Sequence, residues 1–228
     1  MPNPAVALTK SAYAYDELRR RILTGEMAQG SVLSQVLLAQ EIGVSTTPLR
    51  EALRRLAAEG LVQLESHRDA RVTSLTAEEA RDLYVIRESM DPLAAGLAAG
   101  SRTPADIADI ETALSQLTPL RDATDLAAMT AHREFHRAIY RASHNPLLIN
   151  ILEGLWDKAD RYRQVGLQGR KDSEKDRIRV QEEHIQIAGA VIAGDAVRAR
   201  ETMQRHVTGS LGRRAIAILE GARDLEQP

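Results

Sequence analysis

No cysteine occurs in the 228 residues. Disulfides are excluded, and so is every metal site built on thiolates. Aromatic residues are scarce, at 3% of the chain with one tryptophan and one phenylalanine, so a core has to be packed from aliphatic side chains and alanine. No apolar run approaches the roughly 20 residues that span a bilayer. The opening MPNPAVALTK lacks the basic stretch and apolar segment that mark export. The expectation is a cytoplasmic protein with no membrane partner. Net charge is only −2, which excludes a chain that binds polyanions over its whole surface; any nucleic-acid face must be local. A glycine-rich phosphate loop is missing, as is any credible nucleophile–base pair, which argues against an enzyme.

What is present is a soluble, globular composition, 43% hydrophobic and 27% charged, long enough for two modest domains. The most informative stretch is SQVLLAQEIGVSTTPLREALRRLAAEG, from Ser34 to Gly60. Leu37, Leu38 and Ile42 recur at helical spacing. Gly43 then ends that helix, because glycine takes a left-handed backbone at little cost. Ser45, Thr46 and Thr47 offer capping hydroxyls, and Pro48 suits the first turn of a new helix. That second helix carries Leu49, Leu53 and Leu56 on one face and Arg50, Arg54 and Arg55 elsewhere. A short helix, a turn and an amphipathic helix with arginines near its start form the pattern that enters a DNA major groove. The plainer alternative is an αα-hairpin with a solvated basic face.

Around this pair the sequence supplies a complete small domain. Met1 to Thr9 is expected to be a loose arm, and Tyr13 to Thr24 a first helix. Leu61-Val62-Gln63-Leu64, a polar tip from Glu65 to Asp69, and Ala70-Arg71-Val72-Thr73 make a short hairpin. Three helices and a hairpin are a winged helix-turn-helix. His67 and Arg68 would sit at the tip of the wing, within reach of a minor groove or phosphates.

After Ser74 the pattern is helical only. Thr76 and Glu79 are spaced as a capping box. One helix should run from Ala77 to about Ala99, bent near Pro92. A second should start at Thr103-Pro104 and reach about Leu117, and a third run from Asp122 or Thr124 to about Ala142. The fourth is expected from Asn145-Pro146 to about Leu167. A polar break, a fifth helix from about Glu174 to Ala193, a turn at Gly194-Asp195 and a sixth helix to about Glu220 complete the chain. The fold class is mainly α: an N-terminal winged helix-turn-helix over residues 10–74, followed by an all-α helical bundle over 76–220.

Five of the six histidines lie in that bundle. His132 and His136 are four residues apart on one helix and project from one face. His184 lies ten residues before Gly194 and His206 eleven after Asp195. In an antiparallel hairpin both imidazoles would then stand about 15 Å from the turn, at one level. Three or four converging imidazoles suit zinc, nickel, copper or iron. His144, beside the Asn145-Pro146 cap, has the plainer reading of a surface filler. The run His132-Arg133-Glu134-Phe135-His136 is not a zinc-protease helix, because Glu134 lies about 200° round from His132 and points away.

The stretch LTGEMAQGSVLSQVLLAQEIGVSTTPLREALRRLAAEGLVQLESHRDARV resembles the DNA-binding domain of the GntR family of bacterial transcription regulators. That resemblance covers about Tyr13 to Thr73. It implies that Arg50 contacts a base, guanine above all, and that Ser45, Thr46, Thr47 and Arg54 touch backbone or base edges of a double-stranded operator. Three positions depart from the family's habit: Thr46 and Val36 stand where arginine is common, and Asp69 where glycine is usual at the wing.

The segments LYVIRESMDPLAAGLAAG, HREFHRAIYRASHNPLL and EEHIQIAGAVIAGDAVRARETMQRHV resemble the ligand-sensing FCD domain of the FadR-type branch. By that resemblance His136, His184 and His206 match three metal-binding histidines, while His132 stands where Asp or Asn is usual. An all-imidazole set of His132, His136, His184 and His206 would favour zinc or nickel over manganese. The same resemblance implies a small organic acid effector, an Arg87 near its pocket, a homodimer and, by family habit, a repressor. The plainer reading of Arg87 is a surface ion pair with Glu88 or Asp91. Arg161, Tyr162 and Arg163 are weaker candidates for the pocket. A DNA-binding regulator with a metal-free bundle that serves dimerisation or sensing is one alternative, and a metal-dependent hydrolase a remoter one.

Overall fold

The computed structural model describes residues 9–65, 69–120, 125–169 and 173–225. The chain divides into two compact units, Met1–Ser74 and Leu75–Pro228.

In the first unit, α1 (Lys10–Leu23) begins three residues earlier than its apolar spacing suggests, because the Thr9 hydroxyl accepts from the Ala12 amide and caps it. Thr9 therefore belongs to the fold, and not to a loose arm. β1 (Val32–Ser34) leads into α2 (Gln35–Ile42), which closes on Gly43 at φ 77°. Next come α3 (Thr46–Ala58), β2 (Val62–Leu64) and β3 (Asp69–Val72). The expected hairpin forms, with Val62 opposite Val72, and β1 adds a third antiparallel strand with Val32 opposite Arg71. β1 escapes sequence reading because three residues are too few to show a period of two. Leu18, Ile22, Leu38, Ile42, Leu49, Leu53, Leu56, Leu61 and Val72 make one core. Each full burial of this kind is worth about 1.5–3 kcal/mol. Leu37 is not among them; it is 66% exposed, one position off the buried face of α2.

The second unit contains, among the described residues, α4 (Ala77–Ser101), α5 (Pro104–Ser115), α6 (Leu126–Ala142), α7 (Pro146–Gly154), α8 (Trp156–Gly169), α9 (Glu174–Ala193), α10 (Ala196–Thr208) and α11 (Leu211–Leu225). Eight helices stand where six are expected, because two of the six are interrupted. The fourth breaks at Leu155, whose amide bonds to Leu152 in a tighter turn before Trp156 restarts the chain. The sixth breaks at Gly209 and Ser210. Asp122 and Thr124, the expected starts of the third, lie outside the described residues; Asp125 caps α6 by accepting from Ala128 at 2.9 Å. α4 continues through Pro92. No helix of the described residues is long and apolar enough to cross a membrane.

The Thr76 capping box forms only by half. The Thr76 hydroxyl accepts from the Glu79 amide at 3.1 Å, but the Glu79 carboxylate turns instead to Lys158 and the Tyr162 hydroxyl. Reciprocal boxes close α5 at Thr103 and Asp106, and α9 at Ser173 and Asp176. The bundle core is built from Leu83, Tyr84, Ile110, Phe135, Ile139, Ile187, Val191, Met203 and several alanines.

Candidate metal centre and nucleic-acid interface

The bundle core places His132 and His136 of α6, His184 of α9 and His206 of α10 together. One ligand atom from each lies within 4.8 Å of the other three. Ring centroids are 4.5 Å apart for His132 and His136, and again for His184 and His206. Zinc–nitrogen bonds of 2.0–2.1 Å would need tetrahedral donors about 3.4 Å apart, so a contraction of roughly an ångström closes the site. Trp156 and Phe135 wall it: Trp156 is 5.3 Å from His136 and Phe135 5.1 Å from His184.

Among the described residues, two of the imidazoles, His136 and His184, have buried nitrogens without a hydrogen-bond partner. His206 Nδ1 lies 2.9 Å from Glu183 Oε2. A carboxylate there holds the proton on Nδ1 and leaves Nε2 bare toward the cluster, an arrangement common around metal-bound histidines. His184 hydrogen-bonds to the Val180 backbone, and its Nε2 is buried without a partner. Both ring nitrogens of His136 are buried and unpartnered. Orphaned polar atoms this deep cost about 1–3 kcal/mol each, a cost that a shared cation would remove. The donor set fits a divalent ion.

Electrostatics agree. Burial above all, then the neighbouring imidazoles and the positive charge of Arg163, hold His136 and His184 well below the ordinary imidazole value. Burial and then Arg163 do the same for His132. Neutral imidazole is the form that binds metal. Burial pushes the Glu183 carboxyl up, but the hydrogen bond from His206 and the charge of Arg179 leave it lowered overall.

His132 differs from the other three. Its Nδ1 lies 2.7 Å from Arg163 Nη1. Arg163, one of the weaker candidates in the sequence, is thus at the cluster itself. It lines two small adjoining cavities together with His132. Arg87 lines the second, but it is buried against Asp91 at 2.7 Å and lies 4.8 Å over the Trp156 ring. Its partner is therefore Asp91, as the plainer reading has it, in the interior and not on the surface. Arg133 pairs with Asp157 and Asp160. Arg163 approaches Asp160 more loosely, at 3.4 Å. His144 stands apart, 2.9 Å from Asp106. Glu134 pairs with Arg137, away from the imidazoles.

In the first unit, α3 keeps Leu49, Leu53 and Leu56 in the core and leaves its N-cap Ser45, Thr46, Thr47, Arg50 and, past its midpoint, Arg54 exposed. The Arg50 Nε–H donates to Gln35 Oε1 at 3.0 Å. Arg55 lies 3.6 Å over the Tyr15 ring and is paired with Glu59 at 3.4 Å. On the wing, Arg71 bridges Glu65 at 2.8 Å and the Gly30 carbonyl at 2.7 Å. His67 and Arg68 lie outside the described residues.

Residues 10–72 match the bacterial regulatory proteins of the gntR family, and residues 82–209 match the FCD domain. The chain belongs to the GntR family. The HTH-type transcriptional repressor GlaR of Escherichia coli (strain K12) is 30% identical over 202 residues, covering 85% of this chain and 90% of GlaR. The HTH-type transcriptional regulator LutR of Bacillus subtilis (strain 168) is 30% identical over 207 residues, covering 82% and 93%. Among solved structures, E. coli McbR/YncC has the same fold, with a TM-score of 0.73 over 95% of this chain and 99% of that one at 23% identity. This GntR protein is a DNA-binding transcription regulator and not an enzyme. Its mainly α architecture, a winged helix-turn-helix with an FCD bundle, is that of the family.

Proposed function

We propose that this GntR regulator is a metabolite-responsive repressor whose bundle holds a divalent metal, zinc or nickel, and a small organic acid. The carrying observation is the convergence of His136, His184 and His206 in a buried, walled site, with ring nitrogens of His136 and His184 left without a partner. A cation held only by neutral ligands keeps its full charge, and so offers an anionic oxygen a strong electrostatic partner. Arg163 and Arg87 at the cavity edge orient such a guest. Residues 10–74 act as the reading head and 76–220 as the sensor. Two protomers present two α3 helices to a pseudo-palindromic operator. Arg50 reads a base, Ser45, Thr46, Thr47 and Arg54 position the helix on the backbone, and His67 and Arg68 of the wing add phosphate or minor-groove contacts. The acid shifts the equilibrium only to the extent that it prefers one arrangement of the sensor over the other.

The test is elemental analysis of untagged protein together with operator binding in the presence and absence of acids. About one zinc or nickel per chain, and an operator affinity that an acid changes only in metal-loaded protein, is the expected result. Protein free of metal after purification in metal-containing buffer, with unaltered operator binding, would instead fit a bundle that serves dimerisation alone.

A further inference from the structure

Arginine cannot give up its guanidinium protons near neutral pH. In the 2.7 Å contact between Arg163 Nη1 and His132 Nδ1, the arginine must therefore donate and the imidazole nitrogen must accept. A neutral ring that accepts at Nδ1 carries its proton on Nε2. Neither nitrogen of His132 is then open to a metal: one lone pair is taken by Arg163 and the other position bears hydrogen. His136 and His184 are under no such constraint, for their buried nitrogens have no partner among the described residues, and His206 faces an acceptor, Glu183, at Nδ1, which leaves the lone pair on Nε2.

The surroundings say what the pair is for. The salt bridges of Arg87 and Arg133 are tight, at 2.7 Å to Asp91 and 2.6 Å to Asp160. Among the described residues the one acid that Arg163 approaches is Asp160, at 3.4 Å, which Arg133 already holds. It is buried, 5% exposed, and lines the cavities on both sides of His132. Beyond His132, Arg163 and His184 the larger cavity, of about 60 Å³, is walled chiefly by Leu117, Pro119, Leu120, Val180 and Leu211, with Thr118, Arg177 and Gln181 as the polar residues among them. A guest there meets the Arg163 guanidinium beside the imidazoles and mostly aliphatic side chains beyond them.

We infer that His132 is not a metal ligand but the acceptor that aims Arg163 at the open side of a three-histidine site, and that the pair receives the carboxylate of a short acid whose apolar tail lies among Leu117, Leu120, Val180 and Leu211. This rests on the proposal that His136, His184 and His206 hold the ion. A carboxylate has the two oxygens the site requires, one to face the cation and one to take the Arg163 fork. A polyhydroxylated acid would find only Thr118, Arg177 and Gln181 among those walls to bond its hydroxyls, at a cost for each hydroxyl left without a partner.

The experiment uses the full-length protein, stripped with chelator and titrated with Zn²⁺ against a chromogenic competitor. Wild type is expected to take up one ion, His136→Phe to lose about a hundred-fold in affinity or more, and His132→Phe to remain within a few-fold of wild type. His132→Ala provides a second variant should the larger ring disturb the fold, which thermal melting reports. The zinc-loaded proteins are then titrated with butyrate and with gluconate. Butyrate is expected to bind tighter than gluconate, and to weaken about ten-fold or more in Arg163→Gln with zinc affinity unchanged. Long-range ¹H–¹⁵N spectra of the zinc-loaded wild type should show His132 bare at Nδ1 and protonated at Nε2. Loss of zinc in both His132 variants equal to that in His136→Phe would make His132 a ligand and overturn the inference. So would a gluconate preference, or butyrate affinity indifferent to Arg163. If wild type itself takes up no zinc, nickel or cobalt, the three-histidine reading falls first and this one with it.

Discussion

Arg50 and Gln35 are joined by one hydrogen bond, Nε–H to Oε1 at 3.0 Å. Gln35 is buried to 8% exposure at the start of α2, and Arg50 is exposed near the start of α3. Using Nε on the protein side leaves both terminal nitrogens of the guanidinium facing outward, the fork that matches guanine O6 and N7. Gln35 thus positions the side chain expected to read a base. Arg50→Ala should cost about 1–3 kcal/mol and flatten preference at one base pair. Gln35→Leu removes no DNA contact, yet it should relax preference at that same base pair while leaving the salt dependence unchanged. Selection of bound sites from random DNA measures both. An unchanged base profile in Gln35→Leu would show that Arg50 needs no support.

Tyr162 adjoins Arg163 on α8 and reaches the first residues of the second unit. Its hydroxyl accepts from the Thr76 amide at 3.3 Å and is 3.1 Å from the Thr76 carbonyl and 2.8 Å from Glu79 Oε2. Neighbouring residues of one helix therefore touch the imidazole cluster and the segment that follows Ser74. Tyr162→Phe should destabilise the protein by about 0.5–1.5 kcal/mol. It should leave operator affinity without effector near wild type and shrink the change that an acid produces. Operator titrations with and without butyrate measure the response. A full response in Tyr162→Phe would remove this hydroxyl from the route between the two.

Much of this was legible in the residues. The turn at Gly43, the leucine face of α3 and the hairpin all follow from local chemistry, which the fold obeys. The imidazole cluster was legible because Gly194 and Asp195 fix the turn between α9 and α10, so counting residues from it puts His184 and His206 level. Other features depend on distant partners. Thr76 and Glu79 have the spacing of a reciprocal box, but Tyr162 and Lys158 compete for the glutamate. Arg163 looked like one charged residue among several; only the tertiary fold brings α8 near enough to α6 to set it on His132. Leu37 fits a helical period, yet the buried face of α2 passes one residue to the side.

The interruption between α10 and α11 has the same kind of cause, and it can be tested. A Cβ added at Gly212 would lie 1.7 Å from the Tyr84 hydroxyl, and one at Gly166 would lie 2.1 Å from the Leu211 carbonyl oxygen. α11 therefore approaches α4 and α8 more closely than side chains allow. Gly166→Ala meets backbone, which cannot swing aside, and should destabilise by about 1–3 kcal/mol through overpacking. Gly221→Ala, on the same α11 with nothing near its added methyl, should be neutral or slightly stabilising. Chemical denaturation distinguishes them; equal effects would mean the helices separate freely.

The buried imidazoles also make a pH signature for the metal-free protein. His132, His136 and His184 are held neutral to well below their ordinary value, chiefly by burial. In the unfolded chain each would protonate near pH 6.5. Between that value and the lower folded one, the unfolded state binds more protons than the native state, so stability rises with pH. The stabilisation is fully present above about pH 6.5 and is lost as pH falls, by at most about 1.4 kcal/mol per pH unit for each ring that stays neutral. Chelator-stripped protein should therefore melt at steadily lower temperature from pH 7 to pH 5. His184→Phe, with one fewer ring to protonate, should show a shallower decline. Zinc should raise the melting temperature most near pH 7 and progressively less toward pH 5, because protons and metal compete for the same nitrogens. A melting temperature flat between pH 7 and pH 5 in the stripped protein would mean that the rings are hydrated and charged in the native state, which the walls of Trp156 and Phe135 argue against.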